Sequence, residues 1–182
     1  MAEIDTDLYS RQIGTYGMET MGKLIQMKVL ISGMRGVGAE TAKNLIMAGP
    51  GHVTIHDNSL VQTADLGSNF YLTSEDVGSR SRAQASLGKL RELNPYVKVE
   101  VHEGSLDEAF LGQFNVVCLT ESDQATISRV NNFCRSQTPP IGFISCESWG
   151  VGGYAFVDFG PEFTCFDKTG EETRSFIVSN IT

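Results

Sequence analysis

No two cysteines of this 182-residue chain stand in a C-x-x-C spacing; Cys118, Cys134, Cys146 and Cys165 are scattered. That gives no support to a zinc knuckle or a dithiol redox centre and reads instead as free thiols buried in a reducing compartment. Positive charge is also scarce: 14 Lys and Arg against 22 Asp and Glu leave a net charge of -8, without a basic cluster. A polyanion-binding surface needs concentrated Lys and Arg, so nucleic acid is set aside as a partner. No apolar run approaches the roughly 20 residues that span a bilayer. The opening Met1-Ala2-Glu3-Ile4-Asp5 is acidic where a secretory signal is basic and then apolar. No membrane association and no export are expected. Histidine is limited to His52, His56 and His102, all in or beside apolar strand patterns and none close to a cysteine in sequence, so nucleophilic catalysis finds little to work with.

What remains is 41% hydrophobic residues in a length suited to one domain. Short apolar runs alternate with amphipathic stretches, the pattern of an α/β fold with a largely parallel sheet. Lys28 to Ser32 reads as a strand leading into a glycine turn, followed by Ala39, Ala42, Leu45 and Ile46 at helical spacing and a stop at Gly49-Pro50-Gly51. His52 to His56 is the next strand. A helix is predicted over residues 82–93, a strand through Val97, Val99 and Val101, another at 115–119, a helix at 124–135 and a fifth strand at 141–145. Beyond Gly150 the spacing predicts two strands, 154–159 and 162–167, joined at Gly160-Pro161 as an antiparallel extension, and a further strand from 176. The aromatics Phe156, Phe159, Phe163 and Phe166 are expected to pack on this sheet.

The candidate site lies between the first strand and its helix, in Gly33-Met34-Arg35-Gly36-Val37-Gly38. The place is that of a nucleotide fingerprint, but the glycine that lets a backbone approach phosphates is replaced by Arg35. The glycines serve either a ligand or only a tight turn with close helix packing. Asp57, 19 residues after Gly38 at the end of the second strand, has the position of a ribose-binding acid and equally of a residue bonding the following turn. Asp123 is expected to cap the helix that follows it. Arg80 and Arg82 are expected in a solvated helix start. No metal-ligand set is predicted.

Several segments together go further: Leu8-Tyr9-Ser10-Arg11-Gln12-Ile13, the loop from Gly33 to Gly38 with Ala39-Glu40-Thr41-Ala42-Lys43-Asn44, Ala64-Asp65-Leu66-Gly67-Ser68-Asn69-Phe70-Tyr71-Leu72, and Leu93-Asn94-Pro95. Over nearly its whole length the chain resembles the amino-terminal half of ubiquitin-activating enzymes, in the wider family of ThiF- and MoeB-like proteins. The segments Phe156-Val157-Asp158-Phe159-Gly160 and Asp167-Lys168-Thr169-Gly170-Glu171-Glu172 favour that enzyme over the smaller subunit of a SUMO-type activating heterodimer. A stand-alone ThiF-like adenylyltransferase is the other alternative.

The resemblance implies a Rossmann-like doubly wound domain over residues 1–182, one of two that pair as a pseudo-dimer, ending where a first catalytic-cysteine half-domain begins. In that family only the second fold binds ATP and magnesium, adenylates the ubiquitin carboxyl terminus and passes it to a cysteine and then to conjugating enzymes, in cytoplasm and nucleus. The first fold needs no cofactor of its own. Where the active fold has acid, methionine, acid after its second strand, this chain has Asp57-Asn58-Ser59; where it has S-N-L-N-R-Q-F, here stand residues 64–70, without the phosphate-binding arginine. Arg11, expected in a short polar segment that precedes the first helix, matches the arginine that the inactive fold extends to the ATP of its partner.

Overall fold

Five runs of β-branched and apolar residues, each too short for a helix and bounded by Gly, Pro, Asn or Asp, meet in the parallel part of one sheet. In the computed structural model, which describes residues 5–7 and 9–163, these are β1 (Lys28–Ser32), β2 (His52–His56), β3 (Lys98–Val101), β4 (Val116–Thr120) and β5 (Gly142–Trp149), with β6 (Gly152–Asp158) added antiparallel. The order is β3-β2-β1-β4-β5-β6, so the chain reverses its direction of travel across the sheet between β1 and β4, which pair from Val29 with Val116 to Ser32 with Leu119. Four of five residues in β1 and in β4 are buried, as in a central parallel strand with both faces covered.

Six α-helices accompany the strands among the described residues: α1 (Ser10–Tyr16), α2 (Met18–Leu24), α3 (Gly36–Ala48), α4 (Arg82–Glu92), α5 (Glu108–Leu111) and α6 (Gln124–Ser136). Their ends follow local chemistry. Ser81, Asp107 and Asp123 accept the backbone N–H three residues on, each cap contributing about 1 kcal/mol. Gly49 ends α3 in the left-handed region, its N–H donating to Leu45 and Ile46, a conformation that suits glycine best. One sheet face buries Val29, Ile31, Val53, Ile55 and Val99 against Ala42 and Ile46 of α3 and Leu90 of α4. The other buries Leu30, Val117, Leu119 and Phe143 against Leu111 of α5 and Ile127, Val130 and Cys134 of α6. Helices on both faces of a mostly parallel sheet make the domain doubly wound, and truncating a fully buried side chain such as Leu119 should cost about 2–5 kcal/mol.

Three expectations are corrected. The expected antiparallel extension is present, but the strands that form it among the described residues are β5 and β6. β5 runs on to Trp149 and turns through Gly150-Val151, with Gly150 at φ 73° supplying the conformation a two-residue hairpin needs. Glu162 and Phe163 are not in a strand, and residues 164–182, including Cys165, Phe166 and the strand predicted from 176, lie outside the described residues. The aromatics of this extension are not buried by the sheet: Phe156 is 45% and Phe163 62% exposed. Third, Arg11 lies not in an irregular lead-in but in the first turn of α1, its side chain exposed.

Candidate functional site

At the carboxyl end of β1 the chain must turn from strand to helix within three residues, and the packing leaves no room there for side-chain carbon. Gly33 sits at φ 99°, and a Cβ on it would meet the carbonyl and hydroxyl oxygens of Thr120 at 2.3 Å. Thr120 at the end of β4 donates its hydroxyl to the carbonyls of Ser32 and Gly33 (3.3 and 3.0 Å), locking the two strand ends together. A Cβ on Gly38 would stand 1.8 Å from the Gly33 carbonyl oxygen, and one on Gly36 3.1 Å from Ser68 Cβ. The turn and the approach of α3 thus account for these glycines without any ligand.

The charged groups around this turn are engaged with one another. Arg82, at the start of α4, donates from Nε to Asp65 Oδ2 at 2.7 Å and from one terminal nitrogen to both oxygens of Asp57 at 3.4 Å. Asp57 also accepts the Met34 N–H on Oδ2 (2.9 Å) and the Ser59 N–H on Oδ1 (3.0 Å). Three donor nitrogens make four contacts to this carboxylate, so both of its oxygens are already engaged where a ribose diol would bind. Arg35, at the amino-terminal cap of α3, lies with Nε 3.7 Å from Asp65 and 3.4 Å from Glu121. Asn69 fastens the 58–81 segment by donating to the Met34 carbonyl and the Ser86 hydroxyl (2.8 and 3.2 Å). Asp65 also closes its own 3-10 turn by accepting the Gln62 N–H at 2.8 Å.

Burial sets the energetics. Arg82, Asp65 and Asp57 are 3%, 4% and 8% exposed, so Arg82 is no solvated helix-start residue; it is the central cation of a buried cluster. Burial works against its charge, but the Asp65 hydrogen bond and the charges of Asp57 and Asp65 outweigh that and raise its pKa. Arg80 does stand in solvent, 3.6 Å from Asp76. Glu121 is the only non-glycine residue at positive φ (56°) among the described residues, a conformation costing on the order of 1 kcal/mol or more. Its pKa is raised, first by desolvation and also by Asp57 and Asp65, against the opposing influence of Arg35 and Arg82. The three carboxylates exceed the two guanidiniums by one negative charge. All but Asp65 line a cleft of about 500 Å³, together with His56, where strand order reverses and ligands of such folds collect.

The remaining candidates lie apart from this chemistry. Asp123 caps α6, accepting from Thr126. His56 is tied to the Ser32 hydroxyl and the Gly104 carbonyl (2.9 and 3.2 Å), and burial, then His102, lowers its pKa. His52 pairs with Glu100 at 2.8 Å. Arg11 lines no part of the cleft. Cys118 and Cys134 are buried free thiols and Cys146 is half-buried. Sequence reasoning missed Arg82, Asp65 and Glu121 as partners around one turn. The Arg82 and Asp65 pair spans 17 residues and leaves no periodic signal, and nothing local marks Glu121 as left-handed.

A doubly wound sheet, a glycine turn after the first strand and a cleft at the strand reversal define a nucleotide-type α/β domain whose loop is held by an internal ion cluster. The ThiF family model matches residues 9–181, and the chain belongs to the ThiF family. It is 48% identical over 179 residues to ubiquitin-activating enzyme E1 1 of Triticum aestivum, covering 98% of this chain and 17% of that one. It is 46% identical over 185 residues to ubiquitin-like modifier-activating enzyme 6 of Mus musculus (99% and 18%) and 45% over 181 residues to ubiquitin-like modifier-activating enzyme 1 of the same organism (100% and 17%). The chain therefore spans about one-sixth of the length of these relatives.

Proposed function

We propose that residues 1–182 are the inactive adenylation half of a ubiquitin-activating enzyme, which scaffolds a second, active fold and supplies Arg11 to its ATP. The observation that carries this reading is the self-contained ion cluster. Both oxygens of Asp57 are engaged by Met34, Ser59 and Arg82, and Arg35 stands beside Asp65 and Glu121 where backbone amides would cradle phosphate. The arginines and carboxylates that line the cleft are paired with one another, and ATP and magnesium do not fit them. In this reading ATP and magnesium belong to the partner fold, where the ubiquitin carboxylate attacks the α-phosphorus and pyrophosphate leaves; conjugating enzymes are served by the whole protein, in cytoplasm and nucleus.

Arg11 is exposed in the first turn of α1. A guanidinium fork projecting from a helix can follow charge as it moves onto the leaving pyrophosphate. In the full-length enzyme, Arg11→Ala should slow ATP–pyrophosphate exchange at saturating ubiquitin by about 10²-fold, with ubiquitin affinity little changed, and Arg11→Lys should recover part of the rate. Wild-type exchange in a folded Arg11→Ala enzyme would leave scaffolding alone.

A further inference from the structure

The cleft beside the glycine turn contains a residue that is costly in two ways. Glu121 adopts a left-handed backbone that glycine would adopt freely, immediately after Thr120 has been fastened to the end of β1 by its two hydroxyl contacts. The chain kinks at that point, and the kink brings the carboxylate to the Arg35 guanidinium at 3.4 Å. The same carboxylate lines the cleft with Asp57, and its partial burial disfavours the charged form. Neither backbone preference nor burial favours a glutamate at this position. A residue held against both is a candidate for a role in the site itself.

That role follows from what Arg35 would otherwise do. Arg35 is half-exposed at the cap of α3, a 13-residue helix whose first amides have no side-chain cap. With Glu121 neutral or absent, two carboxylates would face two guanidiniums and Arg35 would keep only the longer 3.7 Å approach to Asp65. We propose that Glu121 is a built-in blocking group, an internal anion that engages Arg35 over the glycine turn and so excludes polyphosphate from the cleft. This rests on the reading that the loop does not serve nucleotide, and it names a side chain responsible for the exclusion. The cleft on this view is closed by an occupant as well as by the loss of phosphate-binding residues.

Titration calorimetry of the chain with inorganic tripolyphosphate tests this, using Glu121→Gly, Glu121→Gln and the double variant Arg35→Ala with Glu121→Gly, each checked for folding by circular dichroism. The wild type should give no saturable heat up to about 10 mM. Both single variants should gain affinity by at least about tenfold, the equivalent of one freed charge-assisted contact, and the double variant should lose that gain. Glu121→Gly should also melt higher than Glu121→Gln, since it alone relieves the left-handed backbone. Single variants as inert as the wild type, or a double variant that binds as well as Glu121→Gly, would overturn the blocking role and leave the proposed function standing. Saturable binding by the wild type would overturn both.

Discussion

Replacing Arg82 with methionine should destabilise the chain by about 3 kcal/mol, because it strips the cation from two buried carboxylates while keeping most of the side-chain volume. The magnitude comes from what each partner keeps. Asp57 would retain the Met34 and Ser59 amides, and Asp65 the Gln62 amide and the Arg35 guanidinium at 3.7 Å. Removal of one member of a buried pair commonly costs about 3–5 kcal/mol, and these remaining donors place the figure at the lower end. Neutralising the better-bonded partner as well, Arg82→Met with Asp65→Asn, should recover roughly half, since much of the loss is an uncompensated charge rather than a missing contact. Urea unfolding followed by circular dichroism reads both numbers from the midpoint at constant slope. A midpoint for Arg82→Met within about 0.5 kcal/mol of wild type, or a double variant less stable than the single, would refute the idea that the cluster is held together by this cation.

Gly38→Ala should cost upwards of about 3 kcal/mol in the same assay, since its Cβ would lie 1.8 Å from the Gly33 carbonyl oxygen; wild-type stability would show that α3 can retreat. Glu121→Gln should exceed the wild type in thermal stability at neutral pH. A raised carboxyl pKa means that the group's contribution to stability is complete below its unfolded value and is lost as pH rises through the folded value. The advantage of the glutamine variant should therefore close as pH falls through the ordinary carboxylate range, and an advantage independent of pH would assign it to something other than this charge. The exposed Trp149 and Phe156, on one face of the β5–β6 hairpin, should drive concentration-dependent association in sedimentation velocity. Phe156→Glu should shift the boundary toward monomer, and an unchanged distribution would show that this face is not the contact.

The sequence by itself determined the elements whose signals are local. Short apolar and β-branched runs announced β1, β2 and β4, the Asp123 cap announced α6, and glycine with proline marked the end of α3. These follow from backbone preference and burial periodicity within one stretch of chain, and so did the position of the candidate site at the glycine turn. Only tertiary structure decided what that site contains. Arg82 reads from sequence as a helix-start arginine, yet it is buried because the 58–81 segment folds back and sets Asp65 against it across 17 residues. Asp57 could have bonded a ribose or its own turn, and the choice was made by Met34, Ser59 and Arg82 arriving at the same carboxylate. The pairing of β6 was likewise undecided locally, since the same alternation permits either neighbour; the tight turn at Gly150-Val151 brought β5 alongside first. Ion pairs and edge pairing depend on which distant groups meet, and a single stretch of sequence holds no record of that meeting.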